Sequence, residues 1–235
     1  YDSPDIRGID VALLYKEGLF RPVDHDVHEV RIWDEKGVRL YTRDILRVSG
    51  YVGNLLMHVI VNHWPSRRGG TKKSNYKREK AAFVCRQIVD QLLKENPNAY
   101  IIVMGDFNDD PTNNSVKDVL KAQKNRKKVG LKGIYNPYEN FFKDGLGTTA
   151  YRDAWSLFDQ ILITSEHDEV LYQTFPFFNL IAAHSGQPSP QPPPSQPGPC
   201  GTWFVSVEAC LATSARHSAV AALRGADLAV EDPAL

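Results

Sequence analysis

The residues best suited to chemistry lie in Met104-Gly105-Asp106-Phe107-Asn108-Asp109-Asp110-Pro111, directly after the apolar run Tyr100-Ile101-Ile102-Val103. A carboxylate and an amide two residues apart, leaving the C-terminal end of a buried strand, can point into one crevice. There they could share a divalent cation or a phosphoryl oxygen. Hard cations such as Mg²⁺ take oxygen ligands and keep several waters, so one or two carboxylates plus a substrate phosphate suffice. Asp, Asn and Gly equally favour an Asx-type turn that closes a strand, and spacing alone leaves both readings open.

A second group is Asn62-His63-Trp64-Pro65-Ser66-Arg67-Arg68, also just after an apolar run. A histidine there can hydrogen-bond a phosphate oxygen or move a proton near neutral pH, although a lone histidine at a strand end is more often structural. In Phe158-Asp159-Gln160-Ile161-Leu162-Ile163 a carboxylate opens an apolar strand, and a buried acid needs a partner. Arg43, in Tyr41-Thr42-Arg43-Asp44-Ile45-Leu46, could grip a phosphate bidentately or form an ion pair, and Arg7 carries the same two readings. Arg7, Arg43, Asn62 and Arg67 are thus the candidate substrate contacts.

Charge supports a polyanionic substrate only locally. The chain balances 28 Lys+Arg against 28 Asp+Glu, so composition as a whole does not predict a nucleic-acid binder. Up to Lys143, however, there are 25 basic and 18 acidic side chains, against 3 and 10 after it. Seven Lys/Arg lie between Arg67 and Lys80 and seven between Lys117 and Lys132, each run with one opposing acid. Charge runs are usually solvated faces, but these flank the candidate loops, where they would steer a polyanion.

Several elements must position these groups. Ile9–Tyr15 reads as a short strand, Val27–Trp33 alternates as a half-buried one, and Val52–Val61 reads as a strand buried on both faces. From Ser74 to Asn96 apolar residues recur at three- and four-residue spacing, which predicts a helix capped by Ser74 and stopped at Asn96-Pro97. Tyr100–Met104 and Leu157–Ile163 are further strands, with a short helix over Ser115–Gln123. Strands, a helix and more strands predict an α/β sandwich. Asp24, His25, Asp26 and His28 could ligate a metal by type, but a solvated turn is the simpler assignment.

Residues 177–235 differ in character. Seven of the 15 prolines fall between Gly186 and Pro199, and 9 of the 36 residues from Cys200 onward are Ala. The division expected is a folded domain over 1–176 and a Pro/Ala-rich tail over 177–235 outside the fold. Cys85, Cys200 and Cys210 form neither an even framework nor a CxxC pair, which argues against disulfide staples and a zinc site. No apolar run approaches the ~20 residues of a membrane span. The chain opens on Tyr1 rather than Met, so residues upstream are expected, and the compartment is not decided.

In combination, RGIDVALLY, TRDIL, VNHWPSR, MGDFNDDP and LFDQILI resemble, in order, the motifs of the endonuclease/exonuclease/phosphatase superfamily of metal-dependent phosphodiesterases, over Tyr1 to about Ser165. The resemblance implies a deoxyribonuclease I-like four-layer α/β/β/α sandwich of two mixed β-sheets, with the site where strand ends from both sheets meet. It implies in-line hydrolysis of a phosphoester by metal-activated water, with Mg²⁺ or Mn²⁺ as cofactor. Asp106 would orient the water and help hold the metal, and Asn108 would bind the metal or a phosphate oxygen. His63 would contact the scissile phosphate, Arg43 would assist from the side, and Asp159 would orient a second histidine near the C-terminus.

The expected partner is a phosphoester substrate, nucleic acid among the options, acted on by a monomer. A phosphatase for sugar or lipid phosphates is the alternative, and a catalytically impaired polyanion-binding remnant a third. Family members also carry an Asn motif and a Gln-Glu motif, which would precede Tyr1. They close on a Ser-Asp-His motif, for which Ala215-Arg216-His217-Ser218 is the nearest match, with arginine in the acid's place.

Overall fold

The computed structural model describes residues 2–130, 132–151 and 154–164. The expected boundary at 176, the tail, His217, Cys200 and Cys210 lie outside them. In chain order the elements are β1 (Arg21–His28), β2 (Ile32–Trp33), β3 (Arg39–Leu40), β4 (Ile45–Val52), β5 (Leu55–His63), α1 (Thr71–Glu95) and β6 (Tyr100–Asp106). A π-helical turn at Ser115–Val119 follows, then β7 (Ala122–Gln123), β8 (Ile134–Tyr135), α2 (Tyr138–Lys143), β9 (Thr149–Tyr151), β10 (Ala154–Ser156) and β11 (Asp159–Thr164).

Seven strands form one mixed sheet in the order β1-β4-β5-β6-β11-β8-β7. β5 and β6 run parallel through the α1 crossover, while β11 is antiparallel to β6. Side chains alternate across a strand, and β6 shows the consequence. Ile101 and Val103 meet Ala81, Cys85, Ile88, Val89 and Leu92 of α1. Ile102 and Met104 face the other way, with Val59, Val61, Ile161 and Ile163, toward Val11, Phe20, Tyr138 and Leu157. The sheet therefore has two apolar faces, one covered by α1. Among the described residues the other face is covered by Val11, Phe20, Tyr138 and Leu157.

Six sequence expectations change. Ile9–Tyr15 is not a strand: its backbone makes only a one-residue bridge at Leu14, and Val11 alone is fully buried. The segment read as Val27–Trp33 breaks after His28, because the Asp44 carboxylate takes the Val30 N–H at 3.1 Å and diverts the chain into the β2–β3 hairpin. Asp24 to His28 are accordingly strand residues of β1, not a turn. Val52–Val61 is the end of one strand and most of the next, since Val52 pairs with Leu55 around a two-residue Gly53-Asn54 turn in which Gly53 has φ 59°. Helix α1 starts three residues before Ser74, at a cap on Gly70, whose φ of 104° suits glycine. The Ser74 hydroxyl lies inside the first turn and donates back to the Gly70 carbonyl at 2.9 Å. Finally, the helix expected over Ser115–Gln123 is one π-helical turn followed by β7, the chain reversing at Lys121 with φ 63°.

Candidate active site

Three adjacent strands bring the candidate chemistry into one row. His63 pairs with Asp106 across parallel β5 and β6, and Asp106 pairs with Asp159 across antiparallel β6 and β11. Residues opposite one another in register project from the same face. By parity this row continues Val61, Met104 and Ile161, so the imidazole and both carboxylates end the sheet face turned away from α1.

Asp106 holds two positions at once. Its Oδ1 accepts the Asn108 N–H at 2.7 Å, which forms the Asx turn that the sequence also allowed, and its Oδ2 lies 3.6 Å from His63 Nε2. Asn108 is held with φ 49°, and its Nδ2 donates to the Trp64 carbonyl at 2.9 Å. Gly105 makes the turn possible: at φ 131° it passes so close to β5 that a Cβ would run into the Asn62 carbonyl.

Burial, followed by the charge of Asp159, pushes the Asp106 carboxyl up to about 7. Burial likewise raises Asp159, partly opposed by the Thr148 hydroxyl. Burial, then the charges of Arg43 and Arg7, push His63 down to about 3, so its imidazole is neutral at physiological pH. The contact to Asp106 is therefore no salt bridge, and 3.6 Å is beyond hydrogen-bond reach. Two raised acids beside a neutral imidazole make this row a candidate for proton transfer.

Of the four candidate substrate contacts, three are committed internally. Arg43, 3% exposed, is not free to grip a substrate. Its Nε donates to the His63 carbonyl (3.1 Å), Nη2 to the Trp64 carbonyl (2.5 Å) and Nη1 to Asp5 Oδ2 (3.0 Å), so it braces the β5 end from behind. Asn62 is buried, its Oδ1 accepting from Trp64 Nε1 at 2.9 Å and its Nδ2 donating to the Ile60 carbonyl. Arg67 clamps the loop after β6, reaching the Asn108 carbonyl, Asp109, Asp110 and Asn113, with its guanidinium 4.5 Å from the Phe158 ring centroid. Arg7 remains at the surface, forked onto Asp5 through Nε (3.0 Å) and Nη2 (2.9 Å).

The first basic run divides in the same way. Arg78 is fully buried against Asp109 at 2.8 Å, whereas Arg68, Lys72, Lys73 and Lys80 stay exposed. Sequence reasoning passed over Asp5 and Asp109, the two acids that anchor these arginines. The signal available was the excess of carboxylates over catalytic need in Asn108-Asp109-Asp110. Thr148, whose hydroxyl accepts the Asp159 N–H at 3.2 Å, had no sequence signal.

A mixed sheet under a helical layer, with two carboxylates and an imidazole aligned at its strand ends, makes this an α/β protein. The chain belongs to the Endonuclease/Exonuclease/phosphatase family, whose model matches residues 1–183. Members of that superfamily are phosphoester hydrolases.

Similar solved structures include the human Nocturnin catalytic domain with bound sulfate (16% identity, TM-score 0.44, covering 64% of this chain and 50% of that one). TDP2 from Caenorhabditis elegans is 17% identical, with TM-score 0.43 and coverage of 63% and 42%. The mannosyl-6-phosphatase Bt3783 of Bacteroides thetaiotaomicron is 16% identical, with TM-score 0.40 and coverage of 65% and 55%. The chain thus spans about half the length of these proteins. No curated protein matches it in sequence. Among the described residues no helix is long and apolar enough to cross a membrane.

Proposed function

We infer that the chain is a divalent-metal-dependent phosphodiesterase acting on nucleic acid, and that His63, Asp106, Asn108 and Asp159 carry the reaction. The observation behind this reading is the in-register row His63–Asp106–Asp159, with the Asp106 carboxyl raised by burial and by its acidic neighbour.

That raised carboxyl also tests whether a cation fits. Two buried acids side by side repel when ionised, and a divalent cation is the counter-charge that would let both ionise. Asp106 would hold it with Asn108, whose Nδ2 is engaged with Trp64 and whose Oδ1 supplies the oxygen donor. Among the described residues no three His, Cys, Asp or Glu gather around one point; Mg²⁺, which keeps its waters, does not require them. When bound, Mg²⁺ or Mn²⁺ supplies Lewis acidity and neutralises charge on the phosphoryl oxygens.

The chain's own groups do the remainder. Asp106 accepts the proton of the attacking water as the water oxygen bonds to phosphorus; the ester P–O bond breaks and the leaving oxygen takes up a proton from solvent. Neutral His63 donates a hydrogen bond to a phosphoryl oxygen on which charge develops. Asp159 sustains the field beside Asp106, and Arg43 keeps His63 in place.

Nicking of supercoiled plasmid with Mg²⁺, with EDTA, and by the Asp106→Ala variant tests this. Cleavage only in the first condition is expected, and equal cleavage in all three would sink the reading. Release of inorganic phosphate from small monoesters, with the plasmid left intact, would instead assign the centre to a sugar- or lipid-phosphate phosphatase.

A further inference from the structure

The β2–β3 hairpin presents aromatic rings to solvent where a core strand pair would bury them. Ile32 and Leu40 point inward, against the cluster under α1. Trp33 and Arg39, opposite each other in register, project outward with Tyr41. Trp33 and Tyr41 are 48% and 55% exposed. The Arg39 guanidinium lies 5.4 Å from each ring centroid, so the two rings stand at most about 11 Å apart, on the order of three stacked nucleotides.

Arg39 is itself tethered to Glu29 at 2.5 Å, which orders the array in advance. Two residues past Tyr41, Arg43 grips the His63 carbonyl, which ties the segment after the hairpin to the end of β5. Through Ile32 and Leu40 the hairpin joins the buried cluster that Ala81 and Ala82 of α1 also enter. Burial, then the Asp34 and Glu35 carboxylates of the hairpin turn, raise the phenol of Tyr76 near the start of that helix. Lys72 and Lys73 are exposed one turn earlier on the same helix. The Asp34 carboxylate is occupied in closing the turn, accepting the Lys36 and Val38 N–H groups.

We propose that Trp33, Arg39 and Tyr41 form a stacking platform for the bases of a single-stranded nucleic acid, with Lys72 and Lys73 on its phosphates. The chemistry is specific to bases. Every base has a π-face, and exposed rings interleaved with an arginine bind successive bases without reading their edges, whereas a purely basic surface binds phosphates alone. The platform deepens the phosphodiesterase reading and rests on it for its substrate class. It predicts preference for unpaired over fully duplex strands, because only unstacked bases expose their faces.

The test is binding, measured by fluorescence anisotropy on the Asp106→Ala chain, which removes turnover. The probes are a labelled oligothymidylate about 12 nucleotides long and an abasic strand of equal length, at one fixed salt concentration. The oligothymidylate should bind on the order of tenfold more tightly. Trp33→Ala and Tyr41→Ala should each weaken it roughly five- to tenfold while leaving the abasic strand unaffected, and Trp33→Phe should retain most of the difference. Equal affinity for the two strands, or indifference to both alanine substitutions, overturns the platform. Plasmid nicking combined with equal binding would reject the platform and keep the hydrolase. Base-dependent binding without nicking or phosphate release would reject the hydrolase and keep the platform.

Discussion

Asp106 spends one carboxylate oxygen on the N–H of Asn108 and holds the other 3.6 Å from the imidazole of His63. The turn and the reactive group are therefore one residue, and a change at Asp106 can be read in both stability and chemistry.

Asp106→Asn keeps the acceptor for Asn108 but removes the charge, and hydrolysis should fall at least on the order of 10²-fold. The folded carboxyl is raised from 3.8 to about 7, so the folded state holds its proton more tightly than the unfolded chain. Its stabilising contribution is complete below pH 3.8 and is lost as pH rises through about 7. Thermal scans between pH 4 and 8 should show the wild type losing stability across that window and the variant losing less. At pH 8, Mg²⁺ should raise the Tm of the wild type and leave that of the variant nearly unchanged.

Asp5 behaves with the opposite sign. Burial alone would raise its carboxyl, but hydrogen bonds from Arg7 and Arg43 outweigh burial and hold it well below the usual carboxylate range. That contribution is present above pH 3.8 and lost as pH falls through the depressed folded value. Acid unfolding followed by circular dichroism should be shallower in Asp5→Asn than in the wild type.

Arg43→Met leaves the Asp5 carboxylate to Arg7 alone and releases the His63 and Trp64 carbonyls. Leaving buried acceptors without their charged donor costs about 1–3 kcal/mol, measurable by urea denaturation. Where the variant still folds, kcat should fall with little change in KM, because Arg43 positions His63 and does not hold substrate.

Gly105→Ala should be the least tolerated small substitution in the site. The added methyl meets backbone rather than a movable side chain, and φ 131° is strained for any L-residue. A loss on the order of 4 kcal/mol or more is expected, visible as a collapse of soluble yield and of cooperative unfolding.

Arg67→Ala should loosen the loop without unfolding the domain, because Asp109 keeps Arg78 and the Ser115 hydroxyl at 2.6 Å. Hydrogen exchange should accelerate at the amides of residues 107–113 and at Leu157, whose N–H is held by Asp110. Arg67→Lys should rescue little, since an ammonium cannot fork to several acceptors at fixed angles.

The sequence by itself determined what is periodic and local. The three- and four-residue spacing from Ala81 to Leu93 specifies α1, the apolar run Tyr100–Met104 specifies β6, and Asp106 with Asn108 allows a turn of Asx type. Each follows from bonds and burial within a few residues. The Gly53-Asn54 hairpin was legible in principle, but a continuous apolar run hides a turn that only the strand partner makes obligatory. Tertiary structure alone decided where the polar groups point. Strand register set His63, Asp106 and Asp159 in one row, and the burial of Asp5 and Asp109 drew Arg43, Arg67 and Arg78 inward. An arginine's residue type declares an affinity for anions, and which anion it meets, a substrate phosphate or a buried carboxylate of its own chain, depends on neighbours remote in sequence and on their desolvation.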